Sequence, residues 1–288
     1  MVVSPGRSWS ATSGWECPQI LTLDGQQVAL VGSWTPEAGT MDVFSFVVST
    51  AGGDGVVAPT PEDLRLVDHG PDFYAASVLA QSPWGSLVCG WATEARSSSW
   101  CVDDGWSGVL TLPRVITVRA DGSLASAPLP ALAALRTEPA GRAVLDTLDG
   151  LGAQLEFLLE SVDDSDSDSA SASDLDSALG YGLRLRFGST EFLDIVVDPA
   201  RNQMSVDRRW ASGDPRADGG CFTVSEVAGL SAAGQQVRGF VDGSVLELFL
   251  PGGRVMTTRF YPTTPPPWRL ELRPSERRLR LTVWRLSG

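Results

Sequence analysis

The segment GFVDGSVLELFL, residues 239–250, decides the fold of this 288-residue chain. Apolar residues alternate along it, and a period of two is typical of a β-strand with one buried face. We therefore predict that the segment forms a β-hairpin. A β-sandwich, in which two sheets pack face to face, is the natural fold for such a hairpin.

Further strand signals recur along the rest of the chain. Asp24-Gly25 and Asp121-Gly122 are typical of tight hairpin turns. Strands this short and regular predict an all-β protein built as a propeller, a sandwich or a barrel. The runs rich in Val, Ile, Leu, Phe and Thr span residues 20–23, 28–32, 43–48, 86–91, 115–118, 181–187, 192–197, 236–241, 245–250 and 279–285.

One helical stretch separates two regions of different character. Residues 129–135 are the only persuasive helical segment, with Pro128 and Pro130 at its start and Pro139 after its end. We predict a first β domain at residues 1–127, a linker with a short helix at 128–140, and a C-terminal β-sandwich at 141–288. Seven of the ten tryptophans precede the helical stretch: Trp9, Trp15, Trp34, Trp84, Trp91, Trp100 and Trp106.

An acidic run interrupts the second region. Residues 161–177 (SVDDSDSDSASASDLDS) hold six aspartates and no basic residue. A segment so poor in apolar residues cannot bury enough surface to order itself, so we predict a disordered insert near 161–178. Calcium binding is the alternative, although the spacing of the carboxylates matches no ordered calcium loop.

The composition narrows the classes of partner. The formal net charge is −13 and the pI is about 4.5, which argues against a nucleic-acid partner and against an anionic membrane surface. No apolar run approaches the ~20 residues that span a bilayer. The first 14 residues show no basic region followed by an apolar stretch, so no signal peptide is visible.

Metal and cofactor sites are not expected. The cysteines Cys17, Cys89, Cys101 and Cys221 have no CxxC spacing, and His69 is the one histidine, so a zinc site is improbable. Cys89 and Cys101 could pair in an oxidising compartment, but free buried thiols are the favoured interpretation. The chain has no GxGxxG motif, no P-loop and no GxSxG elbow, which disfavours nucleotide cofactors and a serine hydrolase.

The tetrapeptide Trp15-Glu16-Cys17-Pro18 is the best candidate for chemistry. We expect the Glu16 carboxyl to be poorly solvated, and desolvation favours the protonated form that a general acid needs. Carboxylates near aromatic residues suit sugars, which present apolar faces rimmed by hydroxyl groups. Glycoside hydrolysis needs two such carboxyl groups. Ordinary packing is the alternative for the tryptophans, and we prefer it for Trp34 and Trp100.

Six segments resemble glycoside hydrolase family 32, the invertases, levanases, inulinases and other β-fructosidases. Their matches occur in family order and cover most of the chain from residue 15 to about 262. The stretch GWSGVLTLPR is similar to the family's GWAGVLSLPR and is the most specific match. The segments are Trp15-Glu16-Cys17-Pro18, Asp72-Phe73-Tyr74-Ala75, residues 87–91 with Glu94, residues 105–114, and Val206-Asp207-Arg208 together with residues 240–249.

The resemblance implies a five-bladed β-propeller followed by a β-sandwich, and a retaining mechanism on sucrose or fructans without a cofactor or metal. The family's acid/base glutamate corresponds to Glu16. The resemblance places Tyr74 and Trp91 in the fructose pocket, with Asp72 at its border and Trp15 beside the glutamate as further substrate-binding residues. It also implies an extracellular location.

Two departures from the family matter. The nucleophile and the transition-state stabiliser belong to NDPNG-like and RDP-like motifs upstream of the glutamate, and neither motif occurs in the chain. Gln19 replaces the aspartate that usually follows the ECP motif. Residues 1–127 suffice for about three blades at roughly ten residues per strand and turn. We therefore expect an incomplete five-bladed propeller, in a truncated chain that is inactive alone because it lacks covalent catalysis.

Two other interpretations remain open. The chain could be a non-catalytic carbohydrate-binding protein that keeps the sandwich and part of the pocket. It could also be an unstable fragment without a function. Sucrose, inulin and levan cannot be told apart as substrates from these residues, nor can hydrolysis be separated from fructosyl transfer.

Overall fold

The computed structural model of the protein describes residues 14–35, 39–48, 50–51, 55–56, 58–143, 147–162, 180–230, 235–273 and 279–287. Residues 163–178 of the disordered insert predicted near 161–178 lie outside this part of the chain, whereas Ser161 is buried as the last residue of the strand Gln154–Ser161. The described residues are dominated by β-strands, which confirms the all-β prediction.

A first four-stranded antiparallel sheet comes from residues 14–66. Its strands, in spatial order β1-β2-β3-β6, form the first sheet, and β4 pairs separately with β5. Asp24 and Gly25 both adopt positive φ between β1 and β2, as a two-residue hairpin turn requires. The strand bounds are β1 Gly14–Leu23, β2 Gln26–Thr35, β3 Thr40–Val47, β4 Thr50–Ala51, β5 Gly55–Val56 and β6 Arg65–Leu66.

A second sheet follows in the chain and packs against the first. Four of its strands have the order β11-β10-β8-β7, and β9 pairs with β8. Side chains such as Val28 and Leu30 of the first sheet share one buried cluster with Phe73, Val88 and Ile116 of the second. The strand bounds are β7 Phe73–Ser82, β8 Gly85–Ala92, β9 Val109–Leu110, β10 Arg114–Val118 and β11 Leu124–Pro128.

The described residues thus form two blade-like sheets where strand counting predicted about three. Strands of eight to ten residues, as in β1, β2, β7 and β8, use more chain than the count assumed. Residues 93–108 also contribute no strand, because they form a loop around the α-helix α1 (Ser98–Asp104).

The C-terminal region is a sandwich of two six-stranded antiparallel sheets, as the sequence predicts. One sheet has the order β12-β23-β14-β19-β20-β21 and the other β13-β22-β15-β16-β17-β18. The bounds are β12 Arg136–Ala143, β13 Thr147–Leu151, β14 Gln154–Ser161, β15 Tyr181–Arg186, β16 Phe192–Asp198, β17 Gln203–Asp207, β18 Cys221–Val224, β19 Gln236–Asp242, β20 Val245–Phe249, β21 Val255–Arg259, β22 Trp268–Leu272 and β23 Leu279–Leu286.

The segment 239–250 forms the predicted hairpin of β19 and β20, and β20 is buried on both faces. Leu246 and Leu248 point into the sandwich core. Glu247 and Phe249 alternate with them and point out of the sandwich, where Arg114 of the second blade-like sheet covers them. This hairpin therefore joins the sandwich to the blade-like sheets.

The helical and linker predictions need correction. Residues 130–135 form a 3-10 helix, and the α-helix α1 was missed. Its seven residues are too few for a helical hydrophobic period, although Ser97 at its start and Gly105 (φ 75°) at its end are typical caps. The predicted linker 128–140 overlaps β12, which pairs with β23 and so belongs to the sandwich. The other 3-10 segments are Pro61–Asp63, Pro199–Arg201 and Pro251–Gly253.

The structure also bears on the cysteines, on membrane-spanning helices and on metal sites. All four cysteines are free, and Cys17 is exposed while the other three are half-buried. Among the described residues, no helix has the length and apolar character needed to cross a bilayer. The same part of the chain holds no group of three or more His, Cys, Asp or Glu side chains that could bind a metal.

Candidate active site

A β-bulge in β1 presents Glu16. Glu16 pairs with Gly32 of β2 and Gln19 pairs with Leu30, so β1 has one residue more than β2 between these pairs. Cys17 takes a positive φ of 49° within the bulge. Bulges re-aim a side chain, and here the Glu16 residue is exposed. The poor solvation expected for its carboxyl is therefore wrong.

Tyr74 of β7 meets this carboxylate from the second sheet. Its hydroxyl donates a hydrogen bond of 2.9 Å to Glu16 Oε2, although the residue itself is only 5% exposed. Gly32 makes room for the ring, since a Cβ there would lie 3.2 Å from it. Burial, and then the hydrogen bond to Glu16, raise the pKa of Tyr74. The phenol therefore remains a proton donor to Glu16 at neutral pH.

Gln19 connects the two strands that carry Glu16 and Tyr74. Its Oε1 accepts a hydrogen bond of 2.8 Å from the Val78 backbone N–H, and its Nε2 donates to the Ala76 carbonyl. Ala76 lies in a second bulge, between Tyr74 and Ser77, where Ala75 has a φ of 46°. A carboxylate could not donate the second bond, so the amide at this departure from the family pattern suits the two-sided contact.

Two exposed tryptophans stand on the same side as Glu16. Trp91 of β8 pairs directly with Tyr74 and is 37% exposed. Trp34 of β2 lies two residues from Gly32 and therefore on the same face, and it is 44% exposed. We predicted a packing role for Trp34, and the exposure of its side chain contradicts that prediction. Strand parity relative to Glu16 is the signal that could have found it.

The GWSG segment supports Trp91. Gly108 has a φ of 70°, and a Cβ there would lie 2.0 Å from the Trp91 indole nitrogen, so a side chain does not fit. The Gly108 N–H donates to the Glu94 carboxylate. Glu94 also accepts hydrogen bonds from Tyr261 and Arg96. Burial would raise the pKa of Glu94, but these hydrogen bonds and the Arg259 charge outweigh it and lower the pKa.

Trp15 lies apart from this group. Consecutive residues of a strand point to opposite faces, so Trp15 and Glu16 face away from each other. The Trp15 ring lies 6.3 Å from that of Phe46, next to the apolar cluster on the far side of the first sheet. This orientation removes the basis for predicting Trp15 as a substrate-binding residue.

Asp72 also lies apart, although it is only two residues from Tyr74. It is 4% exposed, and its Oδ2 accepts hydrogen bonds from Arg208, from the Thr258 hydroxyl at 3.3 Å and from the Arg259 N–H at 2.7 Å. All three donors belong to the sandwich. The carboxylate is thus saturated by protein groups, so Asp72 joins the two domains and is not placed to bind a substrate.

A second buried ionic group strengthens the same contact between domains. Arg114 has no exposed surface, and its guanidinium donates to Asp68 at 2.7 Å and to Glu247 at 2.6 Å. Asp68 also accepts from the Thr257 N–H at 2.9 Å. We call these residues, together with Asp72 and Arg208, the interdomain contact, and it anchors the start of the strand that carries Tyr74.

Comparison with known proteins agrees with this architecture. Residues 4–128 match the model of the glycosyl hydrolases family 32 N-terminal domain, and residues 137–284 match the family 32 C-terminal model. A sucrose-6-phosphate hydrolase of Vibrio alginolyticus is 26% identical over 260 residues, which are 86% of this chain and 48% of that protein. A fructan 1-exohydrolase of Bromus pictus is 27% identical over 195 residues, 58% of this chain and 32% of that protein.

Solved structures share the fold. A family 32 β-fructofuranosidase of Bombyx mori superimposes with a TM-score of 0.73 at 20% identity, covering 94% of this chain and 54% of its own. An exo-inulinase of Aspergillus awamori gives 0.72 at 20% identity, with 95% and 57% covered. The two blade-like sheets thus belong to a propeller-and-sandwich architecture, as the resemblance predicted. The chain spans about half the length of the curated relatives it matches.

Proposed function

The chain belongs to glycosyl hydrolase family 32, and on this premise we propose that it carries the acid/base half of a β-fructosidase site for sucrose or fructans. The observation that supports this most is the exposed Glu16 carboxylate, held by the buried Tyr74 hydroxyl beside Trp91. The solvated carboxyl can reach a ligand, and the tryptophan faces can cover the apolar side of a sugar ring.

In this proposal Glu16 protonates the glycosidic oxygen and later deprotonates the hydrolytic water. Tyr74 positions the carboxyl through its hydrogen bond. A retaining reaction also needs a carboxylate nucleophile about 5–5.5 Å from the acid. The Asp-Pro steps of the sequence are Asp198-Pro199 and Asp214-Pro215, and both aspartates pair with arginines of the sandwich. We therefore expect no fructose release from sucrose, inulin or levan by this chain alone.

Carbohydrate binding by the full chain tests the proposal. Calorimetric titration with fructose and sucrose should give saturable heats that Trp91→Ala or Trp34→Ala abolishes. Trp210→Ala is the matched control, because Trp210 is 60% exposed on the sandwich, stacked near Phe192 at 6.5 Å. Equal binding by wild type and Trp91→Ala would refute the site. Chromatographic assay of fructose release, with Glu16→Gln for comparison, tests the expected inactivity.

A non-catalytic carbohydrate-binding protein is the second candidate. The exposed Trp210, with Phe192 beside it, offers a separate aromatic surface on the sandwich. Loss of binding in Trp210→Ala with retention in Trp91→Ala would favour this function over the first.

A further inference from the structure

Three arginines converge on a cavity away from Glu16, where both blade-like sheets meet the sandwich. The cavity measures about 260 Å³. Arg65 comes from the first sheet, Arg119 from the loop between β10 and β11 of the second sheet, and Arg254 from the sandwich just before β21. Each of the three bodies thus contributes one guanidinium group.

These arginines differ from the others in their lack of a carboxylate partner. Within the described ranges, every other arginine whose side chain is described lies within 4.0 Å of a carboxylate, with the single exception of Arg285. No such ion pair is formed by Arg65, Arg119 or Arg254 to a described residue. The paired arginines are 96, 114, 136, 184, 186, 201, 208, 209, 216, 238, 259, 269, 273 and 280.

Each guanidinium is nevertheless held in place through one nitrogen. Nη1 of Arg119 donates to the Leu124 carbonyl at 3.2 Å, Nη1 of Arg65 to the Leu64 carbonyl at 3.1 Å, and Nη1 of Arg254 to the Ser225 carbonyl. Nε and Nη2 of all three have no hydrogen-bond partner within the described part of the chain. Fixed cations with free donors are what a preorganised anion site requires.

The local charge favours an anion despite the acidity of the whole chain. Asp121 and Glu226 also line the cavity, but three arginines outnumber them. Burial lowers the pKa of Arg254, the Glu226 charge raises it, and the smaller effects of Arg119 and Asp121 lower and raise it respectively. Arg119 thus lies close enough to act on the charge of Arg254, and a bound anion would stabilise both guanidinium groups.

We propose that this cavity binds a phosphate group and joins the two blade-like sheets to the sandwich. Three guanidinium groups offer more donors than a planar carboxylate with two oxygens can accept, and a tetrahedral oxyanion suits them better. The volume approaches the lower end of small-molecule sites, about 300–1,000 Å³, so either inorganic phosphate or a phosphate ester fits. Neither Glu16 nor any residue of its pocket takes part, so the site is independent of the proposed hydrolase function.

Calorimetric titration of the full chain with sodium phosphate, at constant ionic strength set with sodium chloride, tests the site. We expect saturable binding and a melting temperature that rises with phosphate concentration. Arg119→Gln and Arg254→Gln should each weaken binding at least about tenfold, because each removes a charge-assisted hydrogen bond. Arg285→Gln should bind as wild type, since Arg285 is an unpaired arginine outside the cavity. Equal affinity in all variants, or no saturable heat, would overturn the proposal.

A further variant keeps the test decisive if Arg119→Gln or Arg254→Gln fails to fold. Ala228 lines the cavity and is exposed, so Ala228→Glu would place a carboxylate among the arginines. We expect a higher melting temperature without phosphate and no further rise with it. A phosphate response unchanged from wild type would count against the site.

Titration with glucose 6-phosphate, glucose and acetate tells the possible ligands apart. Tighter binding of glucose 6-phosphate than of inorganic phosphate identifies a phosphate ester as the ligand, and equal binding of the two identifies the free ion. A preference for acetate refutes a phosphate site.

Discussion

The site around Glu16 and the interdomain contact around Arg114 use the same kinds of residue to opposite effect. Glu16 is exposed and accepts one hydrogen bond from a tyrosine. Glu247 is 2% exposed and accepts from Arg114 and from the Leu112 N–H at 2.6 Å. Both residues are glutamates, so the residue type does not decide their roles. A carboxylate that already accepts several hydrogen bonds from the protein stabilises the fold, whereas one that accepts few stays available for chemistry.

The same contrast separates Tyr74 of β7 from Asp72, which directly precedes that strand. Asp72 faces the sandwich and is saturated there, while Tyr74 faces Glu16. The hydrogen bonds of Asp72 to the sandwich hold the start of β7 in place, so Tyr74 has a fixed position beside Glu16.

Removal of Arg114 should give the largest effect. Arg114→Leu would leave Asp68 and Glu247 buried without a cation, which we expect to destabilise the protein by about 3–5 kcal/mol. Glu16→Gln should change stability by no more than about 0.5 kcal/mol, because an exposed carboxyl keeps its solvation. Guanidinium unfolding curves measure both. Arg285→Leu is the control, and similar losses in Arg114→Leu and Glu16→Gln would abolish the contrast.

Replacement of Glu94 should lower the stability of the protein by an intermediate amount that depends on pH. Its pKa in the folded protein lies below the ordinary value of 4.5, so its contribution to stability is present above pH 4.5 and is lost as pH falls through the folded pKa. Glu94→Gln should lower stability by about 1.5–3 kcal/mol at neutral pH, since it weakens hydrogen bonds to a charged group.

The check is thermal unfolding from pH 7 down to pH 3. The difference between wild type and Glu94→Gln should shrink as the pH drops below 4.5. A difference that stays constant with pH would show that the Glu94 charge does not contribute. Glu62→Gln provides the control, because Glu62 is exposed and the side chain forms no ion pair within the described residues.

Removal of the Tyr74 hydroxyl should destabilise the protein less than Arg114→Leu or Glu94→Gln does. Tyr74→Phe keeps the buried ring and loses one hydrogen bond, which we expect to cost about 0.5–1.5 kcal/mol, at the lower end because water can replace the phenol at Glu16. Tyr261→Phe should cost more, since its partner Glu94 is 12% exposed at the side chain and less open to water. Urea unfolding of the two variants compares them directly, and the reverse order would contradict the difference in solvation.

Much of the fold could be predicted from local patterns. The alternation in residues 239–250 correctly predicts the β19–β20 hairpin, and Asp24-Gly25 correctly predicts a two-residue turn. The α1 helix was not predicted, because a helix this short shows no hydrophobic periodicity and only its capping residues indicate it. The resemblance correctly identified the family.

The candidate site was harder to predict than the fold. Trp15 adjoins Glu16 in the chain but points to the other face of the sheet, while Trp34 comes from the next strand and shares the face of Glu16. Which tryptophans accompany the acid depends on strand register and on a bulge, and one residue of shift reverses every side chain. The role of Gln19 depends in the same way on tertiary structure, because its amide bonds to the backbone of the bulged strand β7.

The sequence by itself determined the all-β character and the sandwich hairpin, because these depend on local alternation, and its motifs pointed to the family and to Glu16 as the proposed acid. The tertiary structure alone decided that Asp72 joins the domains, that Trp34 and not Trp15 accompanies Glu16, and that three arginines distant in sequence line one cavity. Burial and partnership of charged groups arise from elements that meet only after folding, so no local pattern encodes them.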